Sequence, residues 1–255
     1  MGIYYCERGA SQRASKVVYD RKYSSFAASE PSDYDWAKIL AGASWFHFTG
    51  ITPALSSRTA AECARACEEA KRLGVAVSCD LNYRKNLWST AEAQKTMRSL
   101  MPHVDYLIAN EEDAEKVFGI RAEGADVSAG TIPRDGYIGV AKALVAEFGF
   151  KAVAITLRES HSASDNGWGG MLFTDGRAYF SRSYEVHIVD RVGGGDSFAA
   201  GLIHGRLAGD GPEAAVELAA AASCLKHSIE GDFNLVSLAE AQALAGGDAS
   251  GRVAR

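Results

Sequence analysis

Asp190-Arg191-Val192-Gly193-Gly194-Gly195-Asp196-Ser197-Phe198 sets three consecutive glycines between two aspartates, directly ahead of the helix-like run Ser197-Phe198-Ala199-Ala200-Gly201-Leu202-Ile203-His204. Glycines ahead of a helix let the backbone approach a ligand closely, and the helix N-terminus offers unpaired N–H groups and a partial positive charge. A carboxylate in the first turn repels an anion, so anion binding alone does not explain Asp196. It can instead accept the proton of a hydroxyl that attacks a phosphorus held by those N–H groups. An anion cradle beside a base leads us to expect phosphoryl transfer to a small-molecule hydroxyl. Taken alone, the stretch also reads as a plain helix entry, with Asp196 as N-cap and the glycines as a turn. A dinucleotide fingerprint fails, because the third glycine of G-x-G-x-x-G falls on Phe198. No Gly-Lys-Ser/Thr occurs, so a Walker A loop is absent too.

A chain of 255 residues is long enough for one large α/β domain, and 47% hydrophobic with 23% charged residues implies a substantial core. A net charge of −5 argues against nucleic acid or an anionic membrane as the main partner. No apolar run is long enough to span a bilayer; Glu217 interrupts the Ala214–Leu225 stretch, which reads as a packed helix. No secretory signal is read at the start. The five cysteines (Cys6, Cys63, Cys67, Cys79, Cys224) are odd in number and scattered, which suits reduced thiols and a cytoplasmic location. Cys63 and Cys67 lie one helical turn apart without a matching ligand pair, so they are expected as buried small side chains.

Gly2–Glu7 and Lys16–Asp20 are β-rich, with Gly9 and Ser11 between them, and predict an irregular hairpin. Asp35–Leu40 reads as a short helix. Ser44–Thr49 is a nearly continuous apolar strand, the pattern of burial on both faces; Trp45, Phe46 and Phe48 are expected inside, with His47 as a satisfied core histidine. Further strands are expected over Val75–Leu81, Asp105–Ala109 and Ala152–Leu157. The helices between are Ser56–Leu73 (stopped by Gly74), Ala91–Met101, Glu111–Phe118 and Gly136–Phe148. A hairpin joins Met171–Phe173 to Ala178–Phe180 through Asp175-Gly176, and the remainder reads as helical: Asp196–Ala208, Pro212–His227 and Leu238–Leu244. This strand–helix alternation implies an α/β fold, a mostly parallel sheet covered by helices in three layers. In such sheets ligands bind beyond the carboxyl ends of the strands. Polar residues follow three strands there: Asn82-Tyr83-Arg84, Asn110-Glu111-Glu112-Asp113 and Arg158-Glu159-Ser160.

These motifs resemble a known family. Asp190–Asp196 resembles the D-T-x-G-A-G-D signature of the ribokinase-like (PfkB) carbohydrate kinases, and Asn110–Asp113 their N-x-x-E motif. Asp80-Leu81-Asn82-Tyr83-Arg84-Lys85-Asn86-Leu87-Trp88, Ile155–Ser160 and Lys226–Asn234 resemble the versions found in 2-keto-3-deoxygluconate kinases. The resemblance implies ATP and Mg²⁺ as cofactors and a sugar acid as the small-molecule partner. It implies Asp196 as the base that also meets the substrate hydroxyl, and Gly193, Gly194 and Gly195 as the phosphoryl cradle. Asn110, Thr156 and Arg158 fall along the ATP site, and Asp113 acts on the metal through water. Arg84 is expected to grip the substrate carboxylate with two hydrogen bonds, which a neutral sugar cannot receive. Tyr4, Tyr5 and Arg8 fall in the family's lid strands over the sugar, and the lid is a candidate surface for a homo-oligomer. His227 is open between lining the adenine pocket and capping a helix.

The expected division is residues 1–30 as partial β-lid strands, 31–245 as a ribokinase-like domain and 246–255 as a loose tail. Asp113 stands where the motif has Glu. The family's opening strand and Gly-Gly sugar motif have no counterpart in this sequence, which leads us to expect truncation. A fructokinase or other sugar kinase of the same fold is the alternative, and a nucleotide-binding fragment without turnover another.

Overall fold

A computed structural model of the chain describes residues 1–121 and 133–248. The chain forms two compact units, one built from residues 1–7, 16–121 and 133–154, the other from 8–15 and 155–248. Of the tail expected over 246–255, residues from 249 on lie outside the described residues.

In the first unit β1 (Ile3–Glu7) pairs antiparallel with β2 (Lys16–Asp20), from Ile3↔Asp20 to Glu7↔Lys16. Side chains alternate across a strand, so Tyr4 and Tyr5 point to opposite faces. Tyr4 is half-buried, with its ring centroid 6.3 Å from that of Tyr19, and Arg21 lies 4.0 Å over the Tyr19 ring. The Asp35 carboxylate caps α1 (Trp36–Ile39) by accepting from Lys38 N. Then come β3 (Trp45–Thr49), α2 (Ile51–Ala54), α3 (Ser57–Arg72), β4 (Ala76–Asp80), α4 (Thr90–Leu100), β5 (Tyr106–Ala109), α5 (Glu111–Phe118), α6 (Arg134–Phe148) and the start of β6 (Ala152–Ser160). Reciprocal side-chain and backbone hydrogen bonds open α3 (Ser56 with Thr59) and α4 (Ser89 with Glu92). Gly74 leaves α3 at φ +73°, a left-handed conformation that favours glycine. Along α3, Cys63, Ala66, Cys67 and Ala70 recur at helical spacing and are all buried. All five cysteines are free, and burial pushes the Cys67 thiol up to about 12, as expected for packing groups.

Strands β3, β4 and β5 lie in that order and pair in parallel, with Trp45↔Ala76 through Thr49↔Asp80 and Ser78↔Tyr106 through Asp80↔Ile108. The backbone N–H groups of Lys151 and Ala152 donate to Asp105 O and bring β6 in beside β5 (2.8 and 3.3 Å). The expected two-sided burial of β3 is not found. Only Phe48 is buried, Trp45 and Phe46 are half-buried, and His47 is exposed, with Nδ1 2.7 Å from Ser78 Oγ. The reason is position: β3 ends the strand order, and a terminal strand keeps one open side whatever its composition. Below β4 and β5, the buried Asp105 carboxylate accepts from Val77 N (3.0 Å) and pairs with Lys71 (2.8 Å) and Lys151 (3.1 Å). Burial opposes its ionisation, but these hydrogen bonds outweigh burial and hold it below the usual carboxylate range.

The second unit takes the rest of β6, then β7 (Asp165–Thr174), β8 (Arg177–Phe180), β9 (Tyr184–His187), α7 (Gly194–Ala208), α8 (Pro212–Lys226) and α9 (Leu238–Ala245). β6 runs on to Ser160, so Arg158, Glu159 and Ser160 belong to the strand and not to the loop after it. β7 pairs antiparallel with β8 through the Asp175-Gly176 turn (φ +50° and +73°), as expected of Asp-Gly. At its other end it pairs with β9, a strand to which the sequence reading had assigned no element. α7 runs along α8 where glycines remove side chains: a Cβ on Gly201 would stand 2.8 Å from Ala219 Cα. Beneath them, a Cβ on Gly170 of β7 would stand 2.5 Å from the fully buried Phe198 ring.

Candidate active-site residues

In the first unit, the polar residues after the parallel strands do converge. As β4 ends, Leu81 N donates to Ile108 O (2.9 Å) and Gly50 N donates to Asp80 O (2.8 Å). Asn82 turns the chain with φ +40°, a conformation Asn tolerates because its side chain bonds locally. Its Nδ2 donates to Thr49 Oγ1 (3.1 Å) and its N donates to Asp80 Oδ1 (3.2 Å). Tyr83 N donates to Asp113 Oδ1 (3.2 Å). Asn110 caps α5: its Oδ1 accepts from Glu112 N and Asp113 N, both at 2.9 Å. Thr49, Asn82, Asn110 and Asp113 therefore form one hydrogen-bonded framework over the ends of β3, β4 and β5. Arg84 leaves this framework exposed, donating through Nη1 to the carbonyl of Tyr83 (3.1 Å).

In the second unit the glycine stretch is a built N-terminus. Gly193 is the N-cap of α7 with φ +81° and ψ 0°, and no side chain caps the helix. Helix positions one to three are Gly194, Gly195 and Asp196, so α7 begins two residues earlier than expected. Asp196 is not the N-cap, contrary to that part of the helix-entry reading, while the glycines do form the turn, with Gly193 as N-cap. The amides of Gly195 and Asp196 stand where an α-helix has no intrahelical acceptor, and both residues are exposed. Every other side of the turn is packed. A Cβ on Gly193 would lie 2.5 Å from Asp232 O, and one on Gly194 would lie 2.8 Å from His227 Cε1. Ser223 Oγ donates to Gly194 O (2.7 Å) and Ser197 Oγ to Gly193 O (2.8 Å). Asp190 closes the loop, accepting from Val192 N (3.1 Å) and Gly231 N (3.0 Å).

His227 is buried and does end α8, its backbone N–H donating to Cys224 O and Leu225 O. Its ring Nδ1–H donates to Ser223 O (2.7 Å), and burial lowers its pKa, which keeps the ring neutral at pH 7. Thr156 and Arg158 lie two apart on β6 and so share a face. The charge of Arg158 reaches Arg191, whose pKa is lowered by burial first and Arg158 second. Arg191 Nη2 donates to Ser162 O, Ala163 O and Asn166 Oδ1 at 3.0–3.1 Å. Arg8 pairs with Glu230 at 2.8 Å.

Sequence reasoning had assigned no role to Lys226, Ser223 or Asp190 as supports of the turn. Their acceptors and donors are mostly backbone atoms, which leave no spacing signal. Among the described residues no group of three or more His, Cys, Asp or Glu could hold a metal ion. The Mg²⁺ implied by the family would be carried chiefly by phosphate oxygens and its own waters, with single carboxylates outside them. Asp113, buried and tied to Tyr83 N, fits such an outer place better than a direct bond.

A mixed sheet and a glycine-opened helix of this kind define an α/β protein of the ribokinase-like class. The chain belongs to the pfkB family of carbohydrate kinases, whose family model matches residues 1–234. It is similar to the solved structure of 2-dehydro-3-deoxygluconokinase from Thermotoga maritima, with 53% identity and a TM-score of 0.92 over 97% of this chain and 74% of that one. It is 32% identical over 97% of its length to 2-dehydro-3-deoxygalactonokinase of Haloferax volcanii, and 29% identical over 91% to 2-dehydro-3-deoxygluconokinase of Thermoproteus tenax. The chain spans 71% and 63% of the lengths of these two relatives. Among the described residues no helix is long and apolar enough to cross a membrane.

Proposed function

We propose that this chain transfers the γ-phosphoryl group of ATP to the terminal hydroxyl of a 2-keto-3-deoxy sugar acid, the gluconate form first. The observation that carries this reading is the turn at Gly193–Asp196. Two exposed amides at a helix N-terminus are packed from behind so that they cannot turn away. Such preorganised N–H groups stabilise charge that develops on the transferring phosphoryl oxygens. Asp196 takes the proton from the attacking hydroxyl, and the bond from the γ-phosphorus to the bridging oxygen breaks to release ADP. Mg²⁺, when bound with ATP, neutralises phosphate charge. Asp113, which also holds Tyr83 N, would meet its water shell.

Arg84 supplies the specificity for an acid. Its exposed guanidinium holds, among the described residues, its neighbour's carbonyl, so its planar fork is available to a carboxylate. Asn110, whose oxygen is committed to the cap, offers ATP its NH₂ group, and Thr156 with Arg158 lines the nucleotide path. Tyr4 and Tyr5 face opposite sides of the hairpin, so one sugar meets one of them. The face with Ile3 (42% exposed) and Tyr5 (62%) is the one through which copies of this chain would associate. The gluco and galacto names of the relatives support a keto acid over a neutral sugar. The test is ADP release by the purified chain across a panel of 2-keto-3-deoxygluconate, 2-keto-3-deoxygalactonate, fructose and ribose. The keto acids are expected to turn over fastest. Turnover of fructose alone would overturn the substrate class, and ATP binding without ADP from any sugar would overturn the kinase reading.

A further inference from the structure

Lys226 ends α8 with no exposed surface, and phosphoryl transfer as described above gives it no task. Its Nζ donates to Ile229 O (3.0 Å) and Gly231 O (2.7 Å), so its hydrogen bonds go to carbonyls and not to a carboxylate. Its Cε lies 3.2 Å from the point where a Cβ on Gly193 would stand, and Asp232 O lies 2.5 Å from the same point. Gly231 N donates onward to Asp190, whose other oxygen accepts from Val192 N, directly ahead of the glycines. Ammonium, carbonyl loop, Asp190 and glycine turn are thus one chain of contacts that ends at Gly193, the N-cap of α7. Burial lowers the pKa of the lysine, while the nearby charges of Asp190 and Asp232 favour its charged form.

We propose that Lys226 is a positioning residue for phosphoryl transfer: its ammonium is a built-in cation that gathers the Ile229 and Gly231 carbonyls behind the glycine turn and keeps the start of α7 positive. Carbonyl oxygens gathered around a charge are also how free K⁺ is held in protein filters, and Lys226 tethers the equivalent charge to the fold. A cation there adds to the helix dipole at the point where phosphoryl charge grows. Its removal leaves the carbonyls facing one another without a donor.

This inference rests on the kinase reading, and the experiment separates the two. The purified chain and its Lys226→Met and Lys226→Gln variants are assayed for ADP release with saturating ATP and 2-keto-3-deoxygluconate. Each assay is run in choline chloride and again with ammonium or potassium chloride, alongside ATP affinity by calorimetry and Tm. In choline, kcat of both variants should fall about 100-fold with the sugar KM nearly unchanged. Ammonium or potassium should restore much of the loss in Lys226→Met and leave the wild type unaffected. Lys226→Gln keeps a donor to the carbonyls without the charge, so it separates lost charge from lost folding. A folded variant with near-wild-type turnover in choline would overturn the proposal. So would a loss that no small cation relieves. If the wild type releases no ADP, the kinase reading fails on its own and ATP affinity becomes the readout. Cation-dependent ATP binding by Lys226→Met then supports the role of the lysine, and affinity equal to wild type in choline overturns it.

Discussion

The loop after β4 and the turn before α7 are the two places proposed to meet a ligand, yet they are built in opposite ways. After β4, side chains hold the loop: Asn82 binds Thr49, Asp113 binds Tyr83 N, and Arg84 extends outward, donating to the neighbouring carbonyl of Tyr83. Before α7, backbone is held by backbone and by buried side chains, and Gly193 and Gly194 have no room for even one more carbon. The difference follows from the tasks proposed for each. Stabilising a transition state requires dipoles that do not reorganise, so the cradle is rigid. Recognising one acid among many sugars needs a long charged arm on a firm base, and the base alone is rigid.

That contrast predicts a ranking of substitutions. Asp196→Asn should have the largest effect, lowering turnover by about 10³–10⁴-fold while calorimetric ATP affinity stays close to wild type. Full activity of this variant would remove Asp196 as the base. Gly193→Ala comes next: φ +81° and the 2.5 Å approach to Asp232 O require the cradle to shift. A loss in kcat of about 10²-fold is expected, and a normal kcat would show the turn to be softer than its packing suggests. Arg84→Ala should act on one substrate class only. Losing charged hydrogen bonds of about 1.5–3 kcal/mol lowers kcat/KM for the keto acid by roughly 10–100-fold, with little change for fructose. An equal loss on both would refute the carboxylate argument.

Asp105→Asn, away from both loops, should leave kcat alone and cost about 1–3 kcal/mol of stability in urea melts. The folded-state pKa of Asp105 is depressed. Its contribution is therefore present above the ordinary aspartate value of about 3.9 and is lost as the pH falls through the lower folded-state value. The variant should flatten that acid limb, and an unchanged limb would mean that other carboxylates set it.

The glycine turn and the loop after β4 were legible because each compresses its chemistry into adjacent residues whose types are hard to explain otherwise. Helices with a cap at one end and glycine at the other, such as α3, were legible for the same local reason. β9 was not, because Tyr184-Glu185-Val186-His187 is short and owes its conformation to β7, about twenty residues earlier. The exposure of His47 was hidden because no local pattern states which strand ends a sheet. The support given by Lys226 and Ser223 was silent because both bind carbonyls, and every residue has one.

Gly170 lies inside β7, apart from the glycine turn, and a methyl group there would push on the Phe198 ring two residues beyond Asp196. Phe198 belongs to the first turns of α7, so what displaces it tilts the base and the cradle together. A genetic screen scored on growth would record Gly170 beside Asp196 and Gly193 as though it met substrate. Sorting such hits by thermal stability alone would misfile it again, since a small tilt can silence the chemistry before the fold gives way. Under the proposed mechanism, the sequence constraint on the glycine turn therefore extends into β7.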